Sequence, residues 1–274
     1  MKRILLSAAV AAIIAGPAIA ADMPTKAPLY KALPPVCIWC GFYVGVNAGG
    51  HWASDRMTYF ADPVGWGAAG AAELDARAAT SLKPKGGIFG VQAGYNWAWP
   101  NSAAVFGFEA DVNGLTGSTS RSTTFPGAVN FNGGDIATDS SKDTFLATFR
   151  ARLGLTFGNA LLYATGGLAV ATIKTADSWC SFACVAPAVD LAAVSSSTTR
   201  TGGTFGGGVE WKAWNNWSWK AEYLYVSLGS FTNLIPSCAA CAAGSDIAVT
   251  HRFRDNIFRV GLNYHWGSPV VASY

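Results

Sequence analysis

Apolar and polar side chains alternate along the last patterned segment of the chain, Phe253–Trp266. The apolar positions are Phe258, Val260, Leu262, Tyr264 and Trp266, and the intervening positions are Ile257, Arg259, Gly261, Asn263 and His265. Successive side chains of a β-strand point to opposite faces, so one face of this segment is apolar and the other is mostly polar. The pattern predicts a strand, although a soluble antiparallel sheet would show the same alternation.

Seven earlier segments are also predicted as strands. They are Gly41–Trp52, Ile88–Trp99, Val105–Asn113, Thr144–Phe157, Leu161–Thr172, Gly203–Ala213 and Trp217–Leu228. Most repeat the alternation, and it is clearest in Thr144–Phe157, where Phe and Leu alternate with Thr and Arg. The pattern does not assign the two faces of Leu161–Thr172. The sequence therefore predicts eight strands.

Long and short connections alternate between these strands. The long ones are Ala53–Pro84, Gly114–Ser141, Thr175–Thr199 and Ser230–Thr250, and the tight turns lie at residues 100–102, 158–159 and 215–216. Outer-membrane barrels have long external loops and short periplasmic turns, and an even strand number removes open sheet edges. We expect an all-β fold, an eight-stranded antiparallel transmembrane β-barrel with both termini in the periplasm.

Composition agrees with this fold. The chain has 31 Gly and 11 Trp but only 13% charged residues, which suits a barrel with aromatic girdles. Seven tryptophans fall at predicted periplasmic ends of strands, where an amphipathic ring suits the membrane interface. They are Trp39, Trp97, Trp99, Trp214, Trp217, Trp219 and Trp266.

The amino terminus predicts export. Lys2 and Arg3 precede an apolar stretch and an A-x-A site, so residues 1–20 are predicted as a signal peptide. Residues 21–40 form a proline-rich periplasmic leader, and residues 41–274 form the barrel. Removing Lys2 and Arg3 lowers the formal charge from +3 to +1, which argues against nucleic acid as a partner. We expect localisation in the bacterial outer membrane.

Two motifs carry a family resemblance. Trp39–Gly49 reads W-x-G-F-Y-V-G-x-N-x-G, and Arg259–Trp266 reads R-V-G-L-N-Y-x-W. With the export signal and leader, they resemble the small outer-membrane barrel proteins of alphaproteobacteria, a group related to OmpA-like transmembrane domains and opacity-type surface proteins. Arg259, Gly261, Tyr264 and Trp266 also resemble the signal read by the barrel-assembly machinery, which the resemblance implies as a partner.

The predicted inward positions are rich in charge. They are Glu109, Asp111, Arg150, Arg152, Glu210, Lys212, Lys220, Glu222 and Arg259. Buried charges are tolerated when they are paired, and the lumen of an eight-stranded barrel is just wide enough for side chains to fill. We interpret the set as a polar plug; the alternative is a gate that opens a narrow path when ion pairs exchange partners.

Six cysteines form three close pairs: Cys37/Cys40, Cys180/Cys184 and Cys238/Cys241. Disulfides are the default in an exported protein. The membrane separates the first pair from the other two, for which local bridges and a cross-link between loops remain equally open. We expect no metal, no cofactor and no catalysis, because the three histidines, His51, His251 and His265, lie in no recognised catalytic or metal-binding motif.

These features favour a structural outer-membrane protein that stabilises the envelope and presents surface loops. The alternatives are a small low-conductance diffusion channel and a surface adhesin or receptor-binding protein. Expected partners are outer-membrane lipid and lipopolysaccharide, with host or phage ligands bound through the external loops.

Overall fold

The computed structural model describes residues 37–99, 102–125, 135–180, 191–214, 216–236 and 246–266. The strands are β1 Gly41–Ala61, β2 Thr80–Leu82, β3 Lys85–Ala98, β4 Ala104–Leu115, β5 Ser118–Phe125, β6 Asp135–Phe157, β7 Ala160–Cys180, β8 Leu191–Trp214, β9 Trp217–Ile235 and β10 Ile247–Trp266; one helix, α1, spans Pro63–Ala78. The predicted signal peptide and the leader up to residue 36 lie outside the described residues, as does the chain after Trp266.

Eight long strands close into a ring of antiparallel pairs. The order is β1-β3-β4-β6-β7-β8-β9-β10, and β10 pairs with β1 from Phe42 opposite Trp266 to Ala61 opposite Ile247. The short strands β2 and β5 lie off the ring and pair with β1 and β6. The prediction of an all-β antiparallel fold is confirmed, but the described sheet has ten strands in total rather than eight.

No helix among the described residues is long and apolar enough to cross a membrane.

The predicted loop boundaries are wrong, because the ring strands extend well beyond the alternating segments. Residues predicted as the loop Ala53–Pro84 instead form the end of β1, α1 and β2, and the loop Gly114–Ser141 contains β5 and the start of β6. Likewise β7 runs to Cys180 and β9 to Ile235. Outside the lipid the outward face needs no apolar side chains, so Thr, Ser and Arg occupy it and the alternation disappears while the pairing continues.

An outward apolar band marks the part of the ring that faces lipid. On β1 and β10 it extends from Phe42 and Trp266 at one end to Trp52 and Phe258 at the other, all of them exposed. Beyond Phe258 the outward side chains of β10 become polar and basic. We call the ring end that carries the long strand extensions the external end and the opposite one the periplasmic end, following the predicted orientation.

The structure assigns the faces of β7, which the sequence left open. Leu161, Tyr163 and Ala169 are buried inside the ring, whereas Leu162 and Leu168 are exposed on the lipid side. Pairing of β7 with β6 on one side and β8 on the other fixes this register.

Five of the seven tryptophans predicted at the membrane interface are exposed near the end of the ring that carries the tight turns: Trp97, Trp99, Trp214, Trp219 and Trp266. Trp39 is an exception. Its side chain is only 1% exposed and packs in a cluster with Val105, Leu161 and Tyr163, inside the ring. Trp39 precedes β1, so its ring can turn under the barrel and fill the periplasmic end instead of facing lipid.

Helix α1 fills the opposite end. Asp62 caps its amino terminus by accepting a hydrogen bond from the Val64 amide, and Pro63 occupies the first turn, where its fixed φ suits a helix. Leu74 and Ala78, one turn apart on the same face, are buried in a cluster with inward side chains of the external strand ends. The cluster members from the strands are Met57, Tyr59, Ala61, Leu82, Phe125, Ala137, Trp179, Ile235, Ile247 and Val249.

Candidate functional site: the barrel interior

The structure brings eight of the nine predicted lumen charges together inside the ring. We call them the inner charge network: Glu109, Asp111, Arg150, Arg152, Glu210, Lys220, Glu222 and Arg259. None is more than 3% exposed. The prediction for Lys212 was wrong in this respect: it is half-buried, and its ammonium lies 5.2 Å from the centroid of the Trp39 ring rather than in an ion pair with the network. It stands near the periplasmic end of β8, where it can reach water.

Arg150 is the centre of the inner charge network. Its Nη2 donates to Glu109 Oε1 at 2.5 Å and to Asp111 Oδ2 at 2.7 Å, and its Nη1 donates to Glu222 Oε1 at 3.0 Å. Its Nε donates to the hydroxyl of Thr148. One guanidinium on β6 therefore joins three acids from two other strands, β4 and β9, across the lumen, a geometry that suits its fixed fork of donors.

Arg259 and Lys220 supply the remaining bases at this level. Arg259 donates to Glu222 Oε2 from Nε at 2.8 Å and to Asp111 Oδ2 from Nη2 at 3.0 Å. Lys220 Nζ donates to Glu109 Oε1 at 2.8 Å. Each of the three acids is therefore shared between at least two bases, which is the arrangement that makes buried charge tolerable.

Arg152 and Glu210 pair closer to the periplasmic end, at 2.8 Å. The other Glu210 oxygen accepts from Ser218 at 2.5 Å and from Asn263 at 2.8 Å. His265 Nε2 lies 3.1 Å from this same oxygen. The network thus continues without a break toward the end that Trp39 covers.

Two inward tyrosines connect the layers. Tyr43 accepts from Arg152 at 2.8 Å and donates to Glu109 at 2.7 Å, and Tyr163 donates to Glu222 at 3.0 Å. Glycine makes room for both rings, because a Cβ at Gly94 would collide with the Tyr43 hydroxyl and one at Gly208 with that of Tyr163. The interior is consequently packed rather than open.

A second polar cluster lies beyond the apolar band and was not predicted. We call it the external acid–histidine group: Asp55, Tyr59, Asp139, Asp177, Asn233 and His251. His251 Nδ1 lies 2.9 Å from Asp55 and its Nε2 3.3 Å from Asp177, so the ring bridges two carboxylates. Asn233 donates to Asp177 at 3.0 Å, and the Tyr59 hydroxyl donates to Asp139.

The surroundings raise the pKa of three groups in this cluster, His251, Asp139 and Tyr59. Burial lowers the pKa of His251, but the hydrogen bonds to Asp177 and Asp55 outweigh it and raise the pKa to about 9. Burial raises the pKa of Asp139; its hydrogen bond from Tyr59 opposes this and nearby Asp177 adds to it, for a pKa of about 6. Burial next to Asp139 also raises the pKa of the Tyr59 hydroxyl.

Sequence reasoning missed this cluster because all its members except His251 lie in segments predicted as loops. Inward Asp55, Met57 and Tyr59 alternate with outward Ser54, Arg56 and Thr58, but both sets are partly polar. The signal in the sequence was the spacing alone. Acidic and aromatic residues continue to occupy every second position beyond the apolar part of the strand.

The other predicted residues lie as follows. Cys37 and Cys40 form a disulfide just before β1, while Cys184, Cys238 and Cys241 lie outside the described residues. Gly261 faces the lumen, and Tyr264 and Trp266 face outward at the end of β10. Recognition of these positions and Arg259 by assembly machinery stays a prediction.

The chain is similar to known outer-membrane proteins over nearly all its length. The model of the outer membrane protein beta-barrel domain family matches residues 8–265. The 31 kDa outer-membrane immunogenic protein of Brucella melitensis is 34% identical, with 96% of this chain and 99% of the relative covered. The 22 kDa outer membrane protein of Rhizobium leguminosarum is 27% identical over 72% of this chain and 67% of the relative.

Among solved structures, the outer membrane protease OmpT from Escherichia coli matches with a TM-score of 0.46 at 8% identity, covering 82% of this chain and 96% of that one. Such a likeness carries no inference about activity. The match to the family model, the coverage of the relatives and the closed ring with its apolar band lead to the same assignment. The chain belongs to the outer membrane protein beta-barrel domain family and is a protein of the bacterial outer membrane.

Proposed function

We propose that this protein is a structural barrel that stabilises the outer membrane and presents external loops without conducting solutes. The observation that carries the proposal is the inner charge network, in which eight buried charges pair across the lumen. Trp39 fills one end of the ring and the α1 cluster the other. An eight-stranded lumen filled in this way leaves little continuous aqueous space, whereas open channels belong to barrels of roughly 16 strands.

Balanced charge also argues against ion selection. The network contains the bases Arg150, Arg152, Lys220 and Arg259 and the acids Glu109, Asp111, Glu210 and Glu222. Ion-selective pores present rings of one sign to the permeating ion. Four bases matched with four acids instead hold strands from all sides of the ring together, which suits a load-bearing envelope component.

The external surface of the ring supports a lipid partner. Arg56 on β1 and Arg252 on β10 lie directly opposite each other and are exposed, and Arg254 projects outward next to them. They stand just beyond the apolar band, at the level where lipid phosphates lie. A basic cluster at this level suits the anionic head groups of lipopolysaccharide. The proposal includes no catalysis.

Planar-bilayer recording tests the closed interior. Protein purified from outer membranes in detergent is expected to give no steady conductance. Lys220→Ala combined with Glu222→Ala removes one base and one acid from the network and should produce frequent small openings. Lys174→Ala, at an exposed outward lysine, is the matched control and should give no conductance.

Large steady conductance from the unchanged protein would overturn the closed interior and favour the channel alternative. The structural role is tested separately, in a deletion strain expected to become sensitive to detergent and recover with a restored copy. Loss of surface attachment with an intact permeability barrier would instead favour the adhesin alternative.

A further inference from the structure

His51, Asp143 and Asp255 converge inside the ring between the inner charge network and the external acid–histidine group. We call them the His51 triad. One ligand-type atom from each lies within 4.8 Å of the others, and all three residues are buried. The sequence did not predict this meeting, because the residues come from β1, β6 and β10 and are separated by up to 204 positions.

Hydrogen bonding fixes which nitrogen of His51 faces the acids. Nε2 lies 2.9 Å from the carbonyl oxygen of Thr116, and because a carbonyl only accepts, Nε2 carries the proton. In a neutral imidazole Nδ1 then has a free lone pair. A metal-binding histidine usually donates its other ring N–H to a carbonyl or carboxylate, which fixes the orientation of the ring.

This nitrogen lies close to an acid but makes no hydrogen bond among the described residues. Nδ1 of His51 lies 3.2 Å from Asp255 Oδ2. Two ligands of a tetrahedral zinc ion, with bonds of about 2.0–2.1 Å, lie about 3.3 Å apart. The observed separation therefore matches one edge of such a site, and the ligand atom of Asp143 lies within 4.8 Å of the other two.

Asp143 is the member of the triad whose carboxylate has the fewest partners. It is 3% exposed, and neither carboxylate oxygen has a hydrogen-bond partner among the described residues. Oδ1 of Asp255 is in the same state. A buried carboxylate without a partner is costly, and such groups are normally protonated, paired or bound to metal.

A backbone irregularity turns Asp143 inward. The β6–β7 register shifts between Asp143 and Phe145, and the buried positions of β6 change there from Ser141 and Asp143 to Leu146 and Thr148. Asp255 faces inward without one, because the alternation of β10 is unbroken. Bulges of this kind re-aim a side chain and are frequent next to functional sites.

We propose that the His51 triad binds one divalent first-row transition-metal ion, of the zinc or manganese class. One imidazole nitrogen and two carboxylates are a mixed ligand set that suits these ions better than calcium or magnesium. Because β1 and β6 are separated in the ring by β3 and β4, the ion braces the barrel across its lumen.

The probe is zinc, added to protein purified from outer membranes and stripped with a chelator. One equivalent per chain should remain after gel filtration. At one hundred times the dissociation constant the thermal midpoint should rise by about 5–10 °C, since the ion binds only the folded state. X-ray absorption of the bound zinc should show nitrogen and oxygen ligands at about 2.0–2.2 Å with scattering from one imidazole.

Asp143→Asn should abolish the zinc response and, because it removes a buried unpaired charge, should not destabilise the metal-free protein. His51→Gln should abolish zinc binding as well. The matched control is Asp139→Asn, at another buried aspartate external to the triad, which should retain it. Absence of bound zinc, or binding that Asp143→Asn and His51→Gln leave intact, would overturn the proposal. The X-ray spectrum decides the same question if either variant fails to fold.

Discussion

The inner charge network and the external half of the lumen compensate buried charge in different ways. The inner network balances four bases with four acids. The described external half contains five buried aspartates, Asp55, Asp139, Asp143, Asp177 and Asp255, with His51 and His251 between them. Two further bases accompany them among the described residues: Arg200, half-buried over the ring of Phe231, and Arg121, which pairs opposite Asp139 on β6.

The two regions therefore use their buried polar groups in different ways. Guanidinium and carboxylate groups stay charged across the physiological range, so the inner network is a permanent set of pairs. Histidine and partly protonated aspartate change charge with pH and bind metals, so the external half responds to its surroundings. The same barrel thus holds a fixed region and a responsive region.

The largest effect is expected from breaking the fixed region at its centre. Arg150→Ala leaves Glu109, Asp111 and Glu222 with one base fewer and should lower the free energy of unfolding by about 3–5 kcal/mol. The measurement is denaturant unfolding in detergent micelles, followed by tryptophan fluorescence.

Arg254→Ala, at an exposed outward arginine, is the matched control and should change stability little. Adding Glu109→Gln to Arg150→Ala should recover part of the loss, because it restores the charge balance. If the double variant is no more stable than the single one, the two residues are not coupled as the geometry indicates.

A smaller, pH-dependent effect is expected in the responsive region. The pKa of His251 is raised in the folded state, so folding takes up a proton. Its stabilisation is complete below about pH 6.5 and is lost as pH rises through about 9. We expect the free energy of unfolding to fall by about 1–3 kcal/mol across this window.

His251→Gln should flatten that slope, whatever its effect on stability at a single pH. Asp139→Asn is the control, because Asp139 acts in a lower pH window: its pKa is raised to about 6, so its stabilisation is complete below about pH 3.8 and is lost as pH rises through about 6. An unchanged slope above pH 6.5 in His251→Gln would assign the pH dependence to another group.

The smallest effect concerns the outer surface. Arg252→Gln should weaken binding to lipopolysaccharide micelles by about fivefold, the equivalent of about 1 kcal/mol for one basic residue at an anionic surface. The control is Lys212→Gln, which changes a base at the periplasmic end. Equal losses in the two variants, or no dependence on salt, would argue against a specific cluster of basic residues.

Much of the fold within the membrane was predictable because lipid imposes a strict pattern. Phe145, Phe149 and Leu153 had to face outward, and Arg150 and Arg152 therefore had to face the lumen. The sequence also indicated that Glu109 and Asp111 on the neighbouring strand would be partners of Arg150. It did not reveal that Glu222, three strands away around the ring, reaches the same guanidinium.

Beyond the membrane that constraint ends, and prediction fails for the same physical reason. Asp55, Asp143 and Asp255 are inward, but the side chains between them are Ser, Thr, Arg and Asn instead of an apolar series. The meeting of Asp143 and Asp255 with His51 depends on the bulge at Asp143 and on which strands face each other across the ring. Neither is encoded in a local pattern of residues.

The position of β1 has a consequence for biogenesis. Trp39, β1 and α1 are contiguous in residues 39–78, so the covers of both ends are attached to the first strand. This strand pairs with β10, some two hundred residues later, and such distant contacts form slowly because a long chain must first be closed. Closure of the sheet and covering of the two lumen ends therefore take place in the same step. An intermediate with a closed sheet and an open lumen is avoided.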